Sequence, residues 1–298
     1  MAVTMLRQEL PTNFTALSET SEPGAIRELV RSDQEEVLEF LSARPVHTVF
    51  MAGLIRDNSI VSPQNRGSFY GSRTRSGQLE GVALIGHATL IEAHTEDSLI
   101  GFARVARNCG NAHLIRGEQS AIQTFWKCYA GAGREPRLIS REHLFQLKDL
   151  PTDCDASMAL RPATIADIDK VMAVNSSMAF EEGGINPLQR DPGGFRHRTA
   201  RRIEKGRVWV MFDENRLVFK TDVVSETPEV TYLEGVFVHP EERRKGYGLR
   251  CLTKLSALLM ERSNSICLTV KHDNKNAIAF YSKAGFAPHS EYETIYLR

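Results

Sequence analysis

No stretch of these 298 residues is apolar over the roughly 18 positions needed to span a bilayer, and no charged-then-apolar leader opens the chain. The expectation is therefore a protein with no membrane segment and no secretory signal. Neither sign of charge is in excess: 37 Lys and Arg balance 37 Asp and Glu, so no global field draws the chain to nucleic acid or an anionic surface. Cysteine is scarce, with Cys109, Cys128, Cys154, Cys251 and Cys267 scattered, odd in number and without a Cys-x-x-Cys pair. That pattern speaks against a disulfide framework and a zinc site, and for a reducing, cytoplasmic compartment. Two phosphate-binding signatures are also missing. There is no Gly-x-x-x-x-Gly-Lys-Ser/Thr, and Gly-x-Gly-x-x-Gly is only begun at Gly246 and Gly248, with Cys251 in the third place.

What is present is ordinary globular composition, 42% hydrophobic and 25% charged, over a length that suggests two domains. Within it, residues 236–250 stand out. The apolar run Val236-Phe237-Val238 stops at His239-Pro240, and a basic, glycine-punctuated turn follows, Arg243-Arg244-Lys245-Gly246-Tyr247-Gly248. Leu249, Leu252, Leu255, Leu258 and Leu259 then recur at helical spacing. A strand, a tight turn and a helix start leave unpaired amides and partial positive charge where a phosphate can bind. Two glycines keep side chains out of the way.

Arg243-x-x-Gly246-x-Gly248 resembles the pyrophosphate loop of the GNAT N-acetyltransferase superfamily. A second motif strengthens the resemblance: Asn274-x-x-Ala277-x-x-Phe280-Tyr281-x-x-x-Gly285-Phe286, after the strand-like run 266–270. Membership would imply acetyl-CoA as cosubstrate, no metal, and transfer of the acetyl group to a primary amine in a ternary complex. It would place Val236, Phe237, Val238, Arg243, Arg244, Lys245, Gly246, Tyr247, Gly248, Leu249 and Asn274 along the cofactor. It would make Glu234, on the strand before the loop, the base that deprotonates the amine. Tyr281 would be the acid that protonates the departing thiolate, and backbone N–H groups at Phe237 or Val238 would polarise the thioester carbonyl.

Organisation follows from composition and spacing. Residues 1–24 are polar and read as an N-terminal arm. A proline and small-polar stretch, 151–158, reads as a linker between a first domain at 25–150 and a second at 159–298. The second begins Leu160-Arg161-Pro162-Ala163-Thr164, a short strand into a capped helix with Asp167 three residues past Thr164. Helix, helix, three strands, helix, strand, helix and a closing hairpin at 286–297 are expected. That is a mixed, mostly antiparallel α/β sheet flanked by helices.

The first domain reads as a degenerate copy. Ser120 to Lys127 aligns with Asn276 to Lys283, but no phosphate loop lies between Ala93 and Gly101, and Phe125 stands where Tyr281 would be. Two GNAT-like domains in tandem, the second catalytic, are therefore expected.

Other side chains read less sharply. Glu181 and Glu182 border the region where the resemblance places the acceptor and would attract a cationic amine. Arg196 to Lys205 is a basic helix face. His239 reads as a surface residue, His272 as packing, and Cys251 and Cys267 as core. The acceptor is an amine of unknown identity, small molecule or protein, with neither nucleic acid nor membrane as a partner. A homodimer stays open. The rival functions are a non-catalytic acyl-CoA-binding regulatory module and a protein-interaction module.

Overall fold

The computed structural model describes residues 25–131, 133–150 and 158–298. The arm expected at 1–24 lies outside them, as does the linker apart from Met158. The first half runs β1 (Ile26–Glu28), α1 (Gln34–Ser42), α2 (Pro45–Asn58), β2 (Gly67–Arg73), β3 (Leu79–Gly86), β4 (Ala88–Ala93), α3 (Glu96–Ala106), β5 (Leu114–Glu118), α4 (Gln119–Ala130) and β6 (Leu138–Leu147). The second runs β7 (Arg161–Pro162), α5 (Ile168–Gly183), α6 (Pro187–Arg190), α7 (Pro192–Glu204), β8 (Val208–Asp213), β9 (Arg216–Glu226), β10 (Thr231–Val238), α8 (Tyr247–Met260), β11 (Ile266–Lys271), α9 (Lys275–Lys283) and β12 (Ala287–Tyr296).

All twelve strands form one sheet in the order β1-β2-β3-β4-β5-β12-β6-β11-β10-β9-β8-β7. The order is a palindrome: reading inward from either edge, each strand of one half meets its counterpart in the other. The two central strands are exchanged. β12, the last strand of the chain, pairs with β5 of the first half, and β6, the last strand of the first half, pairs with β11 of the second. They also pair with each other, Tyr292 opposite Glu142. Each half thus depends on the other for the strand that completes its sheet.

Local chemistry repeats with the topology. Asp167 accepts the Thr164 N–H at 2.8 Å and an Arg161 Nη1 donor at 2.8 Å, fixing the turn into α5. Asp33 does the same with Val30 at 2.8 Å and Arg27 at 2.6 Å at the start of α1. Further side chains lock the halves together. α2 lies against β9, where Ser225 Oγ donates to the Val49 carbonyl at 2.6 Å. Val46 and Val49 are buried with Leu144, Val230, Tyr232, Cys267 and Tyr292.

One expectation changes. The region 286–297 is one long strand rather than a hairpin, because partners on both sides saturate its backbone and leave nothing to fold back for. Residues 79–93 form two strands that turn at His87. Helix α2 was not legible, since Pro45 reads as a break when it stands at the first helical turn, where its missing N–H costs nothing.

Candidate active site

β10 and β11 run parallel but pair at only two positions, Thr231 with Ile266 and Tyr232 with Cys267. Both strands continue well beyond, so the sheet opens into a wedge. A bulge drives the opening. The register of β10 against β9 shifts between Glu234 and Phe237, and Gly235 has φ +62°. That φ strains any L side chain, and a Cβ at Gly235 would also stand 2.7 Å from Lys220 Nζ, which favours glycine here. Lys220 is wholly buried, bonded to Asp222 at 2.8 Å and to Asn175, with the Gly235 carbonyl 3.4 Å away. Burial lowers its pKa, and Asp222 opposes that shift. The His239 N–H donates to Val218 on β9. By strand alternation the Phe237 N–H also faces β9, whereas that of Val238 faces the wedge.

The turn expected to bind phosphate stands at the mouth of this wedge. Arg244 and Gly246 are left-handed, with φ +64° and +87°, and α8 begins with no side chain capping its amides and no acidic residue in its first turn. A Cβ on Gly248 would meet Val238 Cγ2 at 2.7 Å and Phe280 at 3.3 Å, so this glycine lets α8 close on β10 and α9. The buried Glu242 anchors the turn, accepting from Arg216 at 2.6 Å and Lys245 at 3.0 Å. The Lys245 ammonium is thus engaged within the loop. Arg243 Nε donates to the Val238 carbonyl at 3.1 Å. Asn274 caps α9, accepting the Ala277 N–H at 3.1 Å.

Below the wedge lies an acidic cluster built from both halves. Arg116 comes from β5 of the first half. Its guanidinium reaches Glu234 at 3.3 Å, Glu142 at 3.2 Å, the Tyr232 hydroxyl at 2.7 Å and Thr269 Oγ1 at 2.5 Å. Burial alone would lower its pKa, but Tyr232, Glu142 and Glu234 outweigh that and keep it charged. Glu182, at the end of α5, faces the same cluster. The residue is exposed, and the protein atoms crowded around its carboxyl desolvate it only in part. That desolvation, then repulsion from Glu234, pushes its pKa up to about 7, with Lys271 pulling the other way. Among the described residues the Glu182 carboxylate makes no ion pair; Lys271 Nζ instead meets its backbone carbonyl at 3.2 Å.

Tyr281 lies on α9 against Phe280 and Phe286, and its hydroxyl makes no hydrogen bond among the described residues. Burial and the Glu182 charge push its pKa well above the ordinary phenol value, so it is protonated at neutral pH.

The equivalent place in the first half is closed. Arg44 bridges Glu92 at 2.9 Å and Glu118 at 2.8 Å across the ends of β4 and β5. α3 is capped by Thr95, carries Glu96 and Asp97 in its first turn, and so repels phosphate. Phe125, the counterpart of Tyr281, is fully buried.

The structure therefore brings together Glu234, Tyr281, Val236–Val238, the 243–249 turn and Asn274 around one wedge. Sequence reasoning missed Arg116 and Glu142, which reach Glu234 only through the strand exchange. The repeat itself is the signal that would have found them. Three arginines of the basic helix α7 are engaged in structure: Arg202 pairs with Asp222, Arg201 with Asn58, and Arg196 with Asp169. His239 is half-buried, and His272 packs on His143 at 4.6 Å. Cys251 and Cys267 are core, as expected. Among the described residues no three His, Cys, Asp or Glu gather as metal ligands, and no helix is long and apolar enough to cross a membrane. A surface cavity of about 710 Å³ lined by Lys205, Trp209, Glu226 and Arg262 lies at the opposite end of β9 and β10, away from this chemistry.

Comparison with known proteins bears on the fold. Residues 180–286 match the Acetyltransferase (GNAT) family. No curated protein matches in sequence. Among solved structures, a Drosophila protein superposes with a TM-score of 0.63 at 12% identity, over 92% of this chain and 98% of that one. A GCN5-related N-acetyltransferase from Sphaerobacter thermophilus superposes with a TM-score of 0.55 at 12% identity, over 91% and 94%. A tandem GNAT protein from the clavulanic acid biosynthesis pathway gives 0.51 at 15% identity, over 91% and 97%. At such identities the likeness shows the fold: two GNAT-like halves in tandem.

Proposed function

From a chain that belongs to the GNAT superfamily, with its family match in the second half, we propose an N-acetyltransferase that moves an acetyl group from acetyl-CoA directly to a primary amine. One observation carries the reading. The uncapped start of α8 and its left-handed turn open onto the wedge between β10 and β11, with carboxylates below it and a protonated phenol beside it. The pyrophosphate would lie on the α8 amides. The pantetheine arm would enter the wedge, and the Val238 N–H would meet the thioester oxygen.

The chemistry needs a neutral amine, since an ammonium has no lone pair to attack with. Glu234, fixed by Arg116, would hold the incoming ammonium. Glu182 would share the base role expected of Glu234, because a pKa of about 7 suits proton uptake near neutral pH. The amine nitrogen attacks the thioester carbon, its C–N bond forms, and the C–S bond breaks. The nitrogen's proton goes to carboxylate, and the thiolate takes a proton from Tyr281.

Calorimetric titration of acetyl-CoA tests the cofactor site. Micromolar binding to wild type, lost in a Gly246→Asp, Gly248→Asp variant, is expected; no binding to wild type would refute the reading. Tyr281→Phe should lower turnover while leaving acetyl-CoA affinity intact, and an unchanged rate would remove it from the mechanism.

A further inference from the structure

The acidic cluster does not stand alone. Tyr296, on β12, lies between it and a second cluster of opposite sign. On one side its phenol feels Glu142, Glu182 and Glu234, and its ring is the nearest neighbour a Cβ on Gly183 would meet, at 3.5 Å. On the other side its ring is 5.4 Å from the Arg137 guanidinium and 6.1 Å from His113. His113 in turn stacks on His87 at 5.1 Å.

The second cluster is cationic and poorly compensated. Burial, then Arg190, Arg137 and Arg66, lower the pKa of His113. Burial, then Arg66, His113, Arg190 and Arg198, bring that of His87 down to about 4. The Arg66 carbonyl accepts the His87 N–H at 2.9 Å, which sets this arginine's backbone beside the stacked imidazoles. Asp191 pairs with Arg198 at 3.0 Å and attracts Arg66. The guanidinium groups of Arg66 and Arg190 make no hydrogen bond or ion pair among the described residues. Arg137 spends Nη1 on the Gly183 carbonyl at 2.6 Å, while Nε and Nη2 are buried without a partner. Buried donors left unpaired are costly and point to a partner the protein alone does not supply. The arginines come from the first half (Arg66, Arg137) and from the α6–α7 region (Arg190, Arg198), so the tandem arrangement creates the cluster.

We propose that the cationic cluster of Arg66, Arg137, Arg190 and Arg198 is an acceptor subsite, and that the acceptor is a small amine that also carries a carboxylate or phosphate. The amine would lie among Glu142, Glu182 and Glu234, and the anionic group across Tyr296 among the arginines. The proposal rests on the acetyltransferase reading above and names the substrate class for it.

The test is a matched acceptor panel: α- and ω-amino acids against their amides, and O-phosphoethanolamine against ethanolamine. Steady-state kcat/KM is measured with saturating acetyl-CoA. One charge-assisted contact corresponds to roughly tenfold discrimination or more in favour of the anionic member. Arg66→Gln and Arg190→Gln, both at exposed positions, should collapse that ratio. A carboxylate subsite would show the preference with the amino acids, and a phosphate subsite with O-phosphoethanolamine. Equal use of charged and uncharged members, or a ratio unmoved by both substitutions, overturns the proposal. If acetyl-CoA binds but no amine is acetylated, the transferase reading fails by itself. Calorimetric titration of O-phosphoethanolamine and of the amino acids into the CoA-bound protein then decides the subsite: binding weakened by Arg66→Gln supports it, and no binding overturns it.

Discussion

Glu182 should make turnover depend on pH in a way its neighbours can shift in opposite directions. With a pKa of about 7, the carboxyl is roughly one-tenth ionised at pH 6 and nine-tenths at pH 8. If the carboxylate is the base, kcat at saturating acceptor climbs about tenfold over that interval. Glu182→Gln removes this limb and lowers the plateau, by about 100-fold or more for loss of a general base. Two further substitutions fix the sign. Glu234→Gln deletes a like charge, so the inflection moves to lower pH; Lys271→Gln deletes an opposite charge, so it moves higher. NMR titration of ¹³C-labelled glutamate carboxyls reads the same shifts without turnover. Stability follows the same logic. The folded pKa lies above the ordinary value of 4.5, so the folded state binds more protons between about pH 4.5 and 7, and Glu182 costs stability as pH rises through that window. Glu182→Gln should gain on wild type at pH 8 relative to pH 4. An inflection that neither Glu234→Gln nor Lys271→Gln displaces would refute the reasoning.

Gly248→Ala forces a methyl to 2.7 Å from Val238, so α8 and β10 must part and acetyl-CoA affinity should fall about tenfold or more, read by calorimetry. Asp167, held to a pKa of about 2 first by its hydrogen bond from Arg161 and then by the Thr164 N–H and hydroxyl, contributes stability above the unfolded pKa near 4 and loses it as pH falls toward 2. Asp167→Asn should therefore cost about 1–2 kcal/mol at pH 7 and nothing below pH 2, by denaturant titration. Chains 1–150 and 151–298, expressed together, should co-purify and bind acetyl-CoA, because each supplies the strand that completes the other's sheet. Independent folding of either fragment alone would contradict that dependence.

Local features were legible in the sequence because their physics is local. The stop at Pro240, the glycines of the turn and the leucine period of α8 encode a strand, a loop and a helix start within 25 residues. Asn274 and Tyr281 lie on one short helix at a fixed distance behind β11. The degeneracy of the first half was also readable, since Phe125 in place of Tyr281 needs no fold to interpret.

The rest required contacts between residues far apart in the chain. Arg116 is 118 residues from Glu234, and nothing in either segment announces the other. β12 read as a hairpin because strand propensity cannot report a partner on each side. The raised pKa of Glu182 is likewise invisible in Glu181-Glu182-Gly183; it arises from desolvation first, then from Glu234 and Glu142.

By itself, then, the sequence determined a basic, glycine-punctuated turn before α8, the place of Tyr281 on α9 and a first half that lacks both, because backbone conformation and helix spacing are written in short runs of residues. Only the tertiary structure decided that the two copies exchange their last strands. That exchange places an arginine of the first half beneath the carboxylates of the second and sets a cationic cluster beside them, because electrostatics acts through space and takes no account of distance along the chain.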